Sequence, residues 1–313
     1  MNKYFKFAIS LFATGIIVYL LFRKIDISTL VKLSREGFVA LGFSTFLFFL
    51  IKMVNTFRYS KLYNLKAGIK LFSLLSYSNL MLNIFPFRTG EISYIRGFKK
   101  YFNIRYSEGL NKLVLLRFID YLVIYIIFLI SSICVYNNVE ERILELVSLF
   151  FVISLVFFFG FIYFITSKKV SFNFKSKKIN NILKTIRIGI KDIRKIPMNV
   201  GYVIVSLSFL YWILRLISGY VVLRFLGLNI PFSYLTFVSL LLLLIGILPI
   251  RSFLGFGIFE GGWAYFLIPL GYQYDLILPL VLQYHLILLI PSIIFGAFGF
   301  FILRIISKLS DKP

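Results

Sequence analysis

The sequence predicts an all-α polytopic membrane protein, on three observations. Of its 313 residues, 60% are hydrophobic and 19% aromatic, and the mean hydropathy is +0.91, whereas a soluble chain is about 45–50% apolar. Apolar runs of roughly 18–25 residues recur along the chain, each long enough to cross a ~30 Å hydrocarbon core. The basic residues cluster between those runs. Backbone groups in lipid must be satisfied within the segment, and runs of this length are too long for barrel strands, so they are helices.

Taken in order, the expected crossings are 5–22, 38–57, 112–136, 143–166, 199–225, 233–250, 256–271 and 276–305. The first is read as a span and not a cleaved leader, because no small-x-small site precedes Arg23 and Lys24. A ninth segment, 70–86, is shorter and stops at Pro86. About eight spanning helices plus one re-entrant or broken segment therefore form a single transmembrane domain over 1–313. The net charge of +23 is distributed in loops, the pattern of the positive-inside rule and not of nucleic-acid binding. Segment 55–70 carries Arg58, Lys61, Lys66 and Lys70 without an acid, and 167–197 carries ten bases against Asp192. Placing these inside puts both termini in the cytoplasm of a cell-membrane protein, although loop 23–36 then lies outside with Arg23, Lys24, Lys32 and Arg35. Within 167–197, Ile179, Ile182, Leu183, Ile186, Ile190 and Ile193 fall at helical spacing. That pattern reads either as an amphipathic helix on an anionic leaflet or as a basic connector that fixes topology. With one cysteine, Cys134, and one histidine, His285, neither a disulfide framework nor a metal site is expected, and no cofactor is implied.

Two stretches share a local pattern. Asn83-Ile84-Phe85-Pro86-Phe87-Arg88-Thr89-Gly90-Glu91 and Leu248-Pro249-Ile250-Arg251, continuing through Gly255 and Gly257 to Glu260, each end an apolar run with Pro-x-Arg and then supply glycine and glutamate. Proline breaks a helix and glycine permits tight turns. Broken backbone at membrane depth is tolerated only in protein or against a wet cavity, and paired broken helices point to a transporter's binding site. The alternative is two ordinary turns whose arginines snorkel. The 163-residue separation of the two motifs leaves a two-half pseudo-repeat open, since similarity outside them is weak.

Other charges fall inside spans. Arg117 and Asp120, at i and i+3, share a helix face, and intramembrane ionisable residues cost about 2.5–3.5 kcal/mol each on insertion scales. Asp120 is expected to be buried beside Arg117, Arg88 or Arg251, and Asp120→Asn to spare folding while impairing transport. Arg215 is read as a buried ion-pair partner or a phosphate ligand. Lys52 reads as a snorkelling lysine, and His285 as a packing hydrogen bonder more than a proton relay.

At these residues the sequence resembles the lysylphosphatidylglycerol synthase/flippase transmembrane family. The resemblance is carried by Asn-x-x-Pro-x-Arg-x-Gly-Glu at 83–91, Arg-x-x-Asp at 117–120 and Leu-Pro-Ile-Arg…Gly-Phe-Gly-x-x-Glu at 248–260. It implies lipid translocation between leaflets, with Arg88, Glu91, Arg117, Asp120 and Glu260 at matching positions. Leu116 stands where an acidic residue often precedes the arginine, and Phe259 where a polar residue often precedes the glutamate. The family's aminoacyl transfer belongs to a soluble domain that follows the membrane part, for which 313 residues leave no room. The expected ligand is a membrane lipid with a phosphate headgroup, held by bidentate arginines. Glu91, Asp120 and Glu260 would hold those arginines or carry a coupling proton. Two rivals stay open: an integral-membrane lipid-phosphate transferase using one of these carboxylates as base, and a non-catalytic partner of a glycosyltransferase or lipid synthase. No glycine-rich phosphate loop, metal cluster or Ser/His/Asp set supports a catalytic reading.

Overall fold

The computed structural model describes residues 35–85, 90–135, 145, 148–149, 152, 156, 160, 197–245, 253–268 and 272–310. Eight α-helices are placed among them: α1 (Arg35–Tyr63), α2 (Ile69–Ile84), α3 (Glu91–Phe102), α4 (Tyr106–Val135), α5 (Met198–Phe225), α6 (Phe232–Ile245), α7 (Ile258–Leu267) and α8 (Tyr274–Ser310). A 3₁₀ turn at Phe253–Gly255 precedes α7. The described residues contain no strand, and the protein is an all-α membrane protein. Four helices, α1, α4, α5 and α8, are long and apolar enough to span a bilayer. The crossing expected at 5–22 and the basic segment 167–197 lie outside the described residues, apart from Pro197; of 143–166 only scattered helical positions are described.

The helices are apolar outside and polar inside. Along α1, Phe38, Phe43, Phe46, Met53 and Phe57 are exposed, while Ser44, Lys52, Asn55, Thr56 and Arg58 are buried. Lipid is as apolar as any core, so the outer face wants phenyl groups and the inner face can hold hydrogen-bonding partners. Chain reversals begin where a residue can turn left-handed: Asn64 (φ 54°), Asn103 (φ 53°) and Gly227 (φ 84°). Each is followed by a residue whose N–H reaches back into the preceding helix: Leu65 to the Ser60 carbonyl (2.9 Å), Ile104 to Phe98 (3.2 Å) and Leu228 to Leu223 (2.9 Å). These bonds occupy carbonyls that the helix end would otherwise leave open.

Helix α1 packs chiefly on α5 and also on α8 and α2; α4 packs on α6, α3 and α5. Buried residues fall into two apolar clusters at opposite ends of the bundle. One joins Ala40 of α1 to Phe128 of α4, Leu216 of α5, Val238 of α6, Trp263 of α7 and Val281 of α8. The other joins Tyr59 and Tyr63 to Leu74 of α2, Phe98 of α3, Leu116 of α4, Ile204 of α5 and Leu303 of α8. Ile119 packs against both clusters, so the neighbouring Asp120 sits at the waist between them.

Two lengths depart from expectation, and that of α2 agrees with it. Helix α1 runs on to Tyr63, so Arg58 and Lys61, expected in a loop, are helical. Helix α7, where a crossing at 256–271 was expected, has ten residues, which at 1.5 Å per residue is about 15 Å, half a bilayer. Helix α2, with sixteen residues, is about 24 Å long and also falls short of a full crossing. It is clamped to α8: a Cβ at Gly299 would overlap the Ser73 carbonyl, and one at Gly296 the Leu80 side chain. Small residues at such a crossing let backbones approach closely.

Candidate functional site

The waist is organised by Asp120, which is 5% exposed in a helix otherwise apolar over its middle turns. A carboxylate there needs charge and hydrogen bonds together. It receives both: Oδ1 accepts from the Arg58 guanidinium and from Trp212 Nε1 at 3.1 Å. Arg117 Nη1 stands 4.0 Å from Oδ2. Arg58 is 1% exposed; its Nη1 donates to Asn55 Oδ1 at 3.3 Å and its guanidinium carbon lies 4.7 Å from the Tyr211 ring centroid. The expectation that Asp120 is buried against an arginine holds, but its close partner is Arg58, which hydropathy had assigned to a cytoplasmic loop.

Arg117 links this centre to the first motif. Its Nη2 is 3.4 Å from Glu91 Oε1, so one guanidinium lies between two carboxylates. Protein surrounds it, with Tyr59, Tyr94, Glu91 and Asp120 all acting on its charge. Even so, a third of its side chain stays accessible. Among the described residues, no hydrogen-bond acceptor reaches the buried Nε atoms of Arg58 and Arg117. Glu91 itself is placed by a close approach: a Cβ at Gly90 would strike the Met81 and Leu82 backbone, so α3 starts hard against the end of α2. Burial against Tyr59 and Phe98 raises the Tyr94 phenol well above its ordinary value and keeps it protonated.

Two further cations reach this region. Lys52 is 2% exposed and its ammonium lies 4.9 Å from the Phe48 ring centroid. A snorkelling lysine would hold its amine at the interface; this one is turned inward, with Arg215 and Arg117 the charges that act on it. Arg215, read as a buried ion-pair partner or a phosphate ligand, is exposed, with Nη1 3.4 Å from the Tyr211 hydroxyl and its guanidinium 5.3 Å from the Trp212 ring. Among the described residues neither cation pairs with a carboxylate.

The second motif is built differently. Leu254 (φ 56°), Gly255 (φ 88°) and Gly257 (φ 85°) turn the chain left-handed, which glycine allows without a Cβ clash. Glu260 then reaches back, its Oε2 accepting from the Gly257 N–H at 2.6 Å, the half of a capping box that survives when the cap is glycine. Its other oxygen lies 2.6 Å from His285 Nδ1 on α8, and the carboxylate is fully buried. Among the described residues Glu260 therefore holds a histidine and its own helix start, not an arginine. His285 is the packing hydrogen bonder expected, with a carboxylate as partner.

Arg88 and Pro86, Arg251 and Pro249 lie outside the described residues, and only the flanks of the two motifs can be placed. The 3₁₀ turn after the second break touches α2, which leads into the first. Both flanks also bind one face of α8. Ser292 Oγ accepts from Asn79 and Asn83 at 2.9 and 3.0 Å, while His285 sits seven residues earlier, about 10 Å away on the same face. Residues that sequence reasoning passed over are thus Lys52, Arg58, Tyr211 and Trp212. The signal for Arg58 was a base one residue beyond the apolar run 38–57, which lies inside the bundle once α1 is extended to Tyr63.

No solved structure matches the chain. A UPF0104 membrane protein of Methanocaldococcus jannaschii is 25% identical over 230 residues, 71% of this chain and 93% of that relative. The profile described as lysylphosphatidylglycerol synthase TM region matches residues 5–296, which span the ion network at the waist and the second break with its buried glutamate. The protein belongs to the lysylphosphatidylglycerol synthase transmembrane-region family.

Proposed function

We propose that the protein moves a lipid with an anionic, phosphate-bearing headgroup, a phospholipid or a polyprenyl-phosphate-linked lipid, between the leaflets of the cytoplasmic membrane. The observation that carries this reading is Arg117, accessible yet enclosed, held between Glu91 and Asp120 at the waist of the bundle. Carboxylates holding an arginine in the empty protein can hand it to a phosphate, which guanidinium meets with two parallel N–H bonds. Arg88 and Arg251 join the same site from the two broken segments, with Pro86, Gly90, Pro249, Gly255 and Gly257 as the hinges. The basic end of the bundle and segment 167–197 face the anionic cytoplasmic leaflet, both termini lie on that side, and 1–313 act as one transmembrane unit.

Leaflet exchange of a fluorescent phospholipid or polyprenyl phosphate in proteoliposomes tests the proposal, comparing wild type with Arg88→Lys and, as a control, Lys100→Gln. Lysine keeps the charge but loses the planar fork, so Arg88→Lys is expected to slow exchange roughly tenfold or more. Wild-type exchange by Arg88→Lys returns Arg88 to a membrane anchor, since a snorkelling arginine is replaced well by lysine. The buried Glu260–His285 pair supports a second reading, a transferase in which the histidine orients a carboxylate base. A transferase changes the mass of the lipid, whereas a flippase changes only its leaflet.

A further inference from the structure

Lys52 and Arg215 are not needed to hold the bundle's carboxylates. Among the described residues the waist contains four basic side chains, Arg58, Arg117, Lys52 and Arg215, and two carboxylates, Asp120 and Glu91. Asp120 answers Arg58, and Glu91 answers Arg117. Two basic side chains are left over, both away from any described carboxylate, and one of them, Lys52, is 2% exposed. A buried charge persists where something of opposite sign comes to meet it. The surplus is fixed on the tight α1·α5 contact: Lys52 is on α1, and Arg215 is held on α5 by stacking on Trp212, the same indole that donates to Asp120.

From this surplus, and resting on the lipid-phosphate reading above, we infer that Lys52 and Arg215 form the second half of an anion site selective for a phosphate monoester dianion. A monoester carries about −1.5 to −2 charges at pH 7, matching the two uncompensated cations. A phosphodiester such as phosphatidylglycerol carries one negative charge and leaves one cation unanswered. An aminoacylated headgroup carries a net positive charge and is repelled. The chain thus handles the monoester-headed class of anionic lipid, such as phosphatidic acid or a polyprenyl monophosphate. Lys52 is a binding residue on this account, its ammonium a point charge that complements the directional arginines.

The experiment is a binding titration in detergent at pH 7.5, kept separate from the transport assay. Short-chain phosphatidic acid, phosphatidylglycerol, lysylphosphatidylglycerol and inorganic phosphate are titrated into full-length wild type, Lys52→Met, Lys52→Arg and Arg215→Gln. Thermal melts of each variant confirm folding. Phosphatidic acid is expected to bind roughly tenfold or more tighter than phosphatidylglycerol, with lysylphosphatidylglycerol weakest. Lys52→Met and Arg215→Gln each erase most of that preference, and Lys52→Arg retains it. Inorganic phosphate binding as tightly as phosphatidic acid supports the dianion site while counting against a lipid source. Equal binding of the two glycerolipids, tighter binding of the lysyl lipid, or a preference that survives both neutralising variants overturns the inference. Should Lys52→Met not fold, Arg215→Gln, at an accessible position, carries the test alone. Selective binding without leaflet exchange would sink the translocation proposal and leave this one standing.

Discussion

The two helix breaks carry similar residues and use them differently. Each supplies a glycine and then a glutamate within the first turn of the following helix, Gly90 with Glu91 and Gly257 with Glu260. Glu260 is sealed, one oxygen on its own backbone and the other on His285. Glu91 keeps 27% of its side chain accessible and reaches across to Arg117. The helices differ in the same sense. In α3, Tyr94, Gly97 and Phe98 face inward while Arg96 and Lys100 face out; α7 buries Trp263, Ala264 and Leu267 and exposes Tyr265 at 70%. A glutamate at a helix start is thus a structural cap where its surroundings are dry and an adjustable ion-pair partner where an opening reaches it. Recurrence of a motif locates two special places without making them equivalent.

Five substitutions bear on this contrast. The largest effect is expected from Asp120→Asn, which lies in neither break but anchors the network that Glu91 joins. Leaving Arg58 buried without its carboxylate costs about 3–5 kcal/mol, read as a lowered midpoint of thermal unfolding in detergent. That revises the expectation that this variant spares folding; an unchanged midpoint would mean that Arg58 finds another partner. Glu260→Gln is next, because charge-assisted bonds to Gly257 and His285 are weakened together, at about 1.5–3 kcal/mol. Gly90→Ala should cost about 1–3 kcal/mol through overlap with backbone that cannot yield. Gly257→Ala should cost about 1–2 kcal/mol through left-handed strain. Glu91→Gln should disturb stability least, by less than about 1 kcal/mol for a partly accessible pair, yet slow leaflet exchange severalfold. If Glu91→Gln and Glu260→Gln destabilise equally, the distinction between cap and ion-pair partner disappears.

What could be read from the sequence follows physical lines. Asp120 announces itself because an acid amid some twenty apolar residues has no cheap explanation, and the glycines of both breaks are legible because proline and glycine act locally. Arg58 and Lys52 are hidden for the opposite reason. Each stands near the end of an apolar run, where a loop or snorkelling base and an inward-facing base have the same hydropathy, and Arg58 becomes helical only through the extra turns to Tyr63. The Glu260–His285 pair spans 25 residues and depends on how α7 lies on α8. Helix α3 carries too many charges to register as a span, and its signal is the inward spacing of Tyr94, Gly97 and Phe98. Helix α7 shows the converse error, since apolar content over 256–271 fits a crossing as well as it fits a buried ten-residue helix.

The contact of α2 with α8 constrains how the protein can rearrange. Helices slide past one another on a cushion of side chains, whose rotamer changes absorb the displacement. Between Ser73 and Gly299 that cushion is missing, and backbone meets backbone. The half-length helix is therefore riveted to the longest one, with Asn79 and Asn83 fastened to Ser292 as a second bolt. Because His285 on the same shaft grips Glu260, the two breaks are linked by a common lever. A rigid-body displacement of α8 would therefore carry the described flanks of both breaks with it.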